Sequence, residues 1–122
     1  MQDEVIVRKK EELESAVNAK TKRIIVKGDL AEKLNTAVKI KKYSKLTIAI
    51  LATSLAGIPF TGGLSAVAFA PVAALTGLEI GLILAVFFIG LSLVLLIAKD
   101  YKTVKMRGKK GDLEAEMELE RV

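Results

Sequence analysis

Hydrophobic and polar positions follow three regimes along this chain. Up to Lys45 they change over every two to four residues. From Leu46 to Ala98 charged side chains disappear except for Glu79. From Lys99 onward a short-period alternation returns. In the first regime Val5-Ile6-Val7 is a β-branched run and predicts a strand. Lys9 to Asn18 carries Leu13, Ala16 and Val17 at helical spacing, and Arg23 to Lys27 predicts a second strand stopped by Gly28. Strand, helix and strand at this spacing fit a right-handed parallel crossover. Asp29 and Glu32 then have the spacing of a capping box, N-cap and N3. The stripe Leu30, Leu34, Ala37 and Val38 predicts a helix that covers one face of the sheet and runs on through Lys41, Lys42 and Tyr43 toward a bilayer.

The middle regime is the long one. A run of 18 or more apolar residues reads as a membrane-helix candidate, and this one has length for two crossings. It is not uniform. Leu46 to Gly57 gives about 18 Å of helix against a hydrocarbon core of about 30 Å. Turn formers follow from Gly57 to Gly63, then a small-residue stretch containing Pro71. Leu78 to Ala98 is the length of a complete crossing. Two arrangements fit: a first span kinked at Pro59, or a re-entrant piece over residues 58–76 between two spans.

In the third regime Leu113, Ala115, Met117 and Leu119 alternate with Glu114, Glu116, Glu118 and Glu120, which predicts a strand. Val104 and Met106 alternate upstream, and Gly108-Lys-Lys-Gly111 predicts the turn. Folding there sets Arg107 opposite Asp112 and Lys105 opposite Glu114. Because an isolated hairpin is marginal, it should join the first two strands. The expected fold is an α+β membrane protein: a small cytoplasmic mixed sheet, β-α-β-α plus a C-terminal β-hairpin, with an inserted transmembrane helical hairpin. Residues 1–44 and 99–122 would form the cytoplasmic domain, and residues 45–98 the hairpin with its Gly/Pro-interrupted middle.

Composition narrows the chemistry. The 122 residues hold no histidine and no cysteine. That removes the commonest general base, thiolate metal sites and disulfides. No catalytic constellation, metal site or cofactor motif emerges, and an enzyme is not expected. The formal charge is +5. The cations crowd the ends of the apolar run: Lys39, Lys41, Lys42 and Lys45 before it, Lys99, Lys102, Lys105 and Arg107 after it. Basic collars on both flanks predict both termini cytoplasmic at a bacterial inner membrane, with contacts to lipid headgroups rather than to nucleic acid.

Two features inside the run invite function. Ala73, Gly77, Gly81 and Ala85 recur every four residues, a spacing that lets helix backbones approach and self-associate. Glu79 is a candidate pore or buried acid, with a helix N-terminal edge as its plainer role. The strings Ile24 to Ala31, Gly62-Gly63-Leu64, Ala70 to Glu79 and Lys99-Asp100-Tyr101 resemble a group of small bacterial glycine-rich two-helix membrane proteins without an assigned activity. The resemblance implies a bacterial source and carries no catalytic residues across. The expectation is a non-enzymatic, self-associating integral membrane protein, channel- or pore-like in its sharper form. The competing class is a membrane-tethered interaction module whose α/β domain recruits a cytosolic protein partner.

Overall fold

In a computed structural model of the chain, residues 3–56 and 70–122 are described. The order is β1 (Glu4–Val7), α1 (Lys10–Asn18), β2 (Arg23–Lys27), α2 (Asp29–Ala37), a 3-10 helix (Val38–Lys42), α3 (Lys45–Ala56), α4 (Ala70–Thr76), α5 (Ile80–Ile89), α6 (Leu91–Asp100), β3 (Tyr101–Arg107) and β4 (Glu116–Arg121). The strands make a four-stranded mixed sheet in the order β1-β2-β4-β3. β1 and β2 are parallel around α1, and β4 runs antiparallel to both β2 and β3. Period-two side chains sort the sheet into two faces. Val7, Ile24, Val26, Met117 and Leu119 are buried under α1 and α2, whose Leu13, Ala16, Val17, Leu30 and Leu34 meet them. The opposite face carries charge.

The described residues do not form the expected pair of transmembrane spans. No single helix among the described residues is long and apolar enough to cross a membrane. The stretch that promised a full crossing is two ten-residue helices, α5 and α6, bent by 92°. The break is Gly90, at φ 102° and ψ 124°, a conformation suited to glycine. The reason for the departure is packing: α5 lies along α2, and Ile83, Val86 and Ile89 join the same core as the sheet. α6 then packs on the 3-10 helix and leads straight into β3. The alternatives for residues 58–76 fall mostly outside the described residues; their last part is α4.

Three smaller expectations are corrected. The N-cap of α2 is Gly28 at φ 76°, without a side-chain bond, so the Asp29–Glu32 capping box does not form. A comparable device serves α1 instead, where Glu12 Oε1 accepts from Arg8 N at 3.0 Å and Lys9 N at 3.1 Å. The second helix does not run on: it tightens to 3-10 geometry, then Ser44 restarts α3 by accepting from Thr47 N at 3.2 Å. In the hairpin, Arg107 faces Glu116 and Lys105 faces Glu118, with an irregularity between Thr103 and Lys105. From Lys105 to Arg107 the slide preserves which face each residue occupies; before the irregularity the phase switches, so that Thr103 faces Leu119 and Lys102 faces Glu120. Its cause is that residues before β4 are needed elsewhere: Gly28 N donates to Ala115 O at 2.8 Å and Arg8 Nη1 holds the Glu114 carboxylate.

Candidate functional site

Among the described residues no group of acids could hold a metal ion. What the fold assembles is surface. On the open face of the sheet the register lines up charge in columns. Arg23 and Lys27 on β2 face Glu116, Glu118 and Glu120 on β4, which in turn face Lys102, Lys105 and Arg107 on β3. Arg23 Nε lies 3.2 Å from Glu118, and Lys27 Nζ lies 3.6 Å from Glu116. Pairs this open contribute little individually, and as a set they make this face a solvated, self-neutralising one.

The cations named from sequence divide between two places. In the 3-10 helix, Ile40 is fully buried, which anchors the turn and directs Lys39, Lys41 and Lys42 outward. Lys45 follows, also exposed, at the start of α3. Because the 3-10 helix packs on α6, the exposed Lys99 at the end of α6 belongs to the same end of the molecule. Lys102 lies just beyond it, on the open face of the sheet. Large apolar side chains stand exposed near these cations and on the adjoining arm: Tyr43, Leu46 at 70% and Leu75 at 68%.

Glu79 precedes α5 directly, exposed, with its carbonyl accepting from Ile83 N at 3.1 Å. The small-residue row does not follow one helix. Ala73 is on α4, Gly77 sits between helices at φ 75°, and Gly81 and Ala85 are on α5. Of these Ala85 is buried, and Gly77 and Gly81 are exposed.

A feature that composition did not single out lies at the β1 edge. A groove of about 480 Å³ runs between β1 and α1, floored by Val5, Val7 and Ala16 and bordered by Ser15 and Ala19. Beside it Arg8 and Glu114 are joined, which lowers the Glu114 carboxyl and raises the Arg8 guanidinium through their hydrogen bond. Glu12 is held below its usual range chiefly by the Arg8 backbone N–H. The legible signal was Glu4-Val-Ile-Val7 itself, a strand without Lys or Pro to guard its edge.

A family model described as uncharacterised protein PM1101 matches residues 6–120. The chain is similar to the uncharacterized protein PM1101 of Pasteurella multocida (strain Pm70), with 32% identity over 104 residues covering 80% of this chain and 82% of the relative. No solved structure matches. The match spans both halves of the sheet and everything between them, and on that ground the chain belongs to the PM1101 family, a bacterial family without an assigned activity.

Proposed function

We propose that this protein is a non-enzymatic interaction module held at the cytoplasmic face of a bacterial inner membrane, where lipid headgroups meet its basic end and a protein partner meets its sheet. The observation that carries the reading is the packing of the 3-10 helix on α6, which gathers Lys99 to the end of the molecule that carries Lys39, Lys41, Lys42 and Lys45. Both flanks of the apolar stretch end in one sheet, so they lie on one side of any bilayer. Exposed Leu46 beside Lys45 and Tyr43 beside Lys42 give an amphipathic rim of the kind that seats at a headgroup boundary without crossing it. A pore requires a ring of spanning helices, and the described residues supply none.

The test is sedimentation of the full chain with vesicles of phosphatidylglycerol and phosphatidylcholine, against phosphatidylcholine alone. A basic residue near an anionic surface contributes about 1 kcal/mol, so reversing Lys41, Lys42 and Lys45 to Glu should weaken binding by about a hundredfold or more. Binding should also fall steeply with salt. Equal binding to both vesicle types, or none to either, overturns the reading.

A further inference from the structure

The sheet has two edges, and they are treated differently. β3 is blunted by Lys102, Lys105 and Arg107 and by the irregularity at Val104, devices that discourage another strand from pairing. β1 has neither. Arg23 N donates to Asp3 O at 2.9 Å, which fixes the phase of the parallel ladder. Alternate residues turn both backbone groups the same way, so Val5 and Val7 bond to β2, and Glu4 and Ile6 present N–H and C=O outward. Ile6 is 52% exposed on that edge. The groove alongside is lined by Glu12 at the end nearest Arg8 and, further along α1 and just past it, by the small side chains of Ser15, Ala16 and Ala19, which leave room for a neighbouring strand.

We propose that the occupant of this edge is β1 of a second copy, antiparallel about a two-fold axis at Ile6. It concerns the partner-binding half of the function proposed above, and the lipid half stands or falls separately.

Outward-facing residues must pair with outward-facing residues, which leaves three registers. Centring on Glu4 opposes two carboxylates. Centring on Val5 sets Glu4 against Ile6. Centring on Ile6 stacks the two isoleucines and sets Glu4 of each copy opposite Arg8 of the other. Charge and apolar matching both select the last. Within one copy Glu4 lies 4.0 Å from Arg23 and Arg8 holds Glu114 through Nη1 alone, so the carboxylate keeps further lone pairs and the guanidinium further N–H donors for the cross-copy pair. The new ladder is short. The Arg8 N–H is already committed to Glu12, so pairing ends where α1 begins. The two sheets would become one of eight strands, with β3 of each copy as the protected outer edges.

The chain has no cysteine, so a single introduced thiol reports the register cleanly. In the proposed dimer the two Ile6 positions form a hydrogen-bonded pair about 5.5 Å apart between Cα atoms, within reach of a disulfide. Under mild oxidation in non-denaturing detergent, Ile6→Cys should give a covalent dimer, and Val5→Cys should give little. Sedimentation equilibrium should show twice the 13.2 kDa chain mass for the unmodified protein and the single-chain mass for Ile6→Pro. Of the backbone groups on β1, that substitution removes only an outward N–H, and with it the stacked isoleucine side chain. Glu4→Arg should weaken the dimer, and Glu4→Arg with Arg8→Glu should restore it in part. Preferential cross-linking through position 5, or a dimer untouched by Ile6→Pro, overturns the proposal. A dimer that forms without binding anionic vesicles keeps this inference and removes the lipid reading; the reverse result does the opposite.

Discussion

Removing one oxygen from Tyr101 tests how the apolar helices are fastened to the sheet. Tyr101 opens β3 directly after α6 and is 4% exposed. Its hydroxyl donates to the Thr21 carbonyl oxygen at 2.5 Å, and Thr21 is itself 7% exposed. Tyr101→Phe keeps the ring and its burial but leaves that carbonyl without this donor. Deletions that strand a buried polar group cost about 1–3 kcal/mol. With a urea m-value of about 2 kcal/mol/M, the unfolding midpoint should fall by roughly 0.5–1.5 M. The assay is equilibrium urea unfolding followed by far-ultraviolet circular dichroism.

Burial of the same hydroxyl predicts an alkaline signature. Burial raises the Tyr101 phenol above its ordinary 10.0; Asp100 adds to the rise and Arg121 opposes it. The folded value is therefore the higher of the two states, and the neutral phenol contributes fully below the unfolded value of about 10. Its contribution is lost as pH climbs through the folded value. The gap between wild type and Tyr101→Phe should be constant through neutral pH and close above about pH 10. A midpoint unchanged by the substitution, or a gap that persists into strong alkali, would refute the reasoning.

Ile83 on α5 is fully buried in the core shared with α2, so Ile83→Ala should cost about 2–5 kcal/mol in lipid-free unfolding. A negligible loss would mean that α5 does not pack on the sheet domain. Gly90→Ala forces a side chain into a glycine-only backbone region and should cost about 1–3 kcal/mol by thermal denaturation. Unchanged stability with increased helicity would show α5 and α6 merging and would defeat the bend. Glu12 has a lowered folded pKa, so its stabilisation is present above the ordinary carboxylate value and is lost as pH falls through the folded one. The wild-type urea midpoint should therefore decline on acidification, and Glu12→Gln should decline less; parallel curves would argue against the cap.

The N-terminal crossover was legible because each element announces its own period. Ile24 and Val26 alternate with Arg23 and Lys27, and Leu13, Ala16 and Val17 mark one side of α1. The faces of β4 and of β3 from Lys105 to Arg107 were legible for the same reason, but those before the irregularity were not, because the extra residue there turns Thr103 to the side of Leu119. Nor was the register of the C-terminal hairpin. Pairing Arg107 with Asp112 treats the hairpin as a closed unit, whereas β4 is a central strand whose position is fixed by Ile24 against Leu119 and Val26 against Met117. Once β2 sets β4, β3 must follow, and the turn lengthens to absorb the difference. The cap at Asp29 failed through a similar competition, because Gly28 at positive φ already turns the chain and donates to Ala115 O. The edge that matters for the proposed dimer depends on strand order, which no local pattern encodes.

The apolar run shows where a composition argument stops. A helix that is hydrophobic all round suits either lipid or the middle of a layered protein, and α5 has no polar stripe to separate these. What decides is whether another surface in the chain needs covering. The buried positions of α2 include Ala31 and Ala37 as well as Leu30 and Leu34, more than one sheet-facing stripe requires. The small side chains let α5 approach closely on its flank. Gly90 then breaks the run where a bilayer core would leave freed backbone groups without partners, and where the protein can instead turn α6 back toward β3. The cations at that return point are thus consequences of folding as much as of topology: Ile40 docks, the chain tightens, and the lysines on either side of it face outward together.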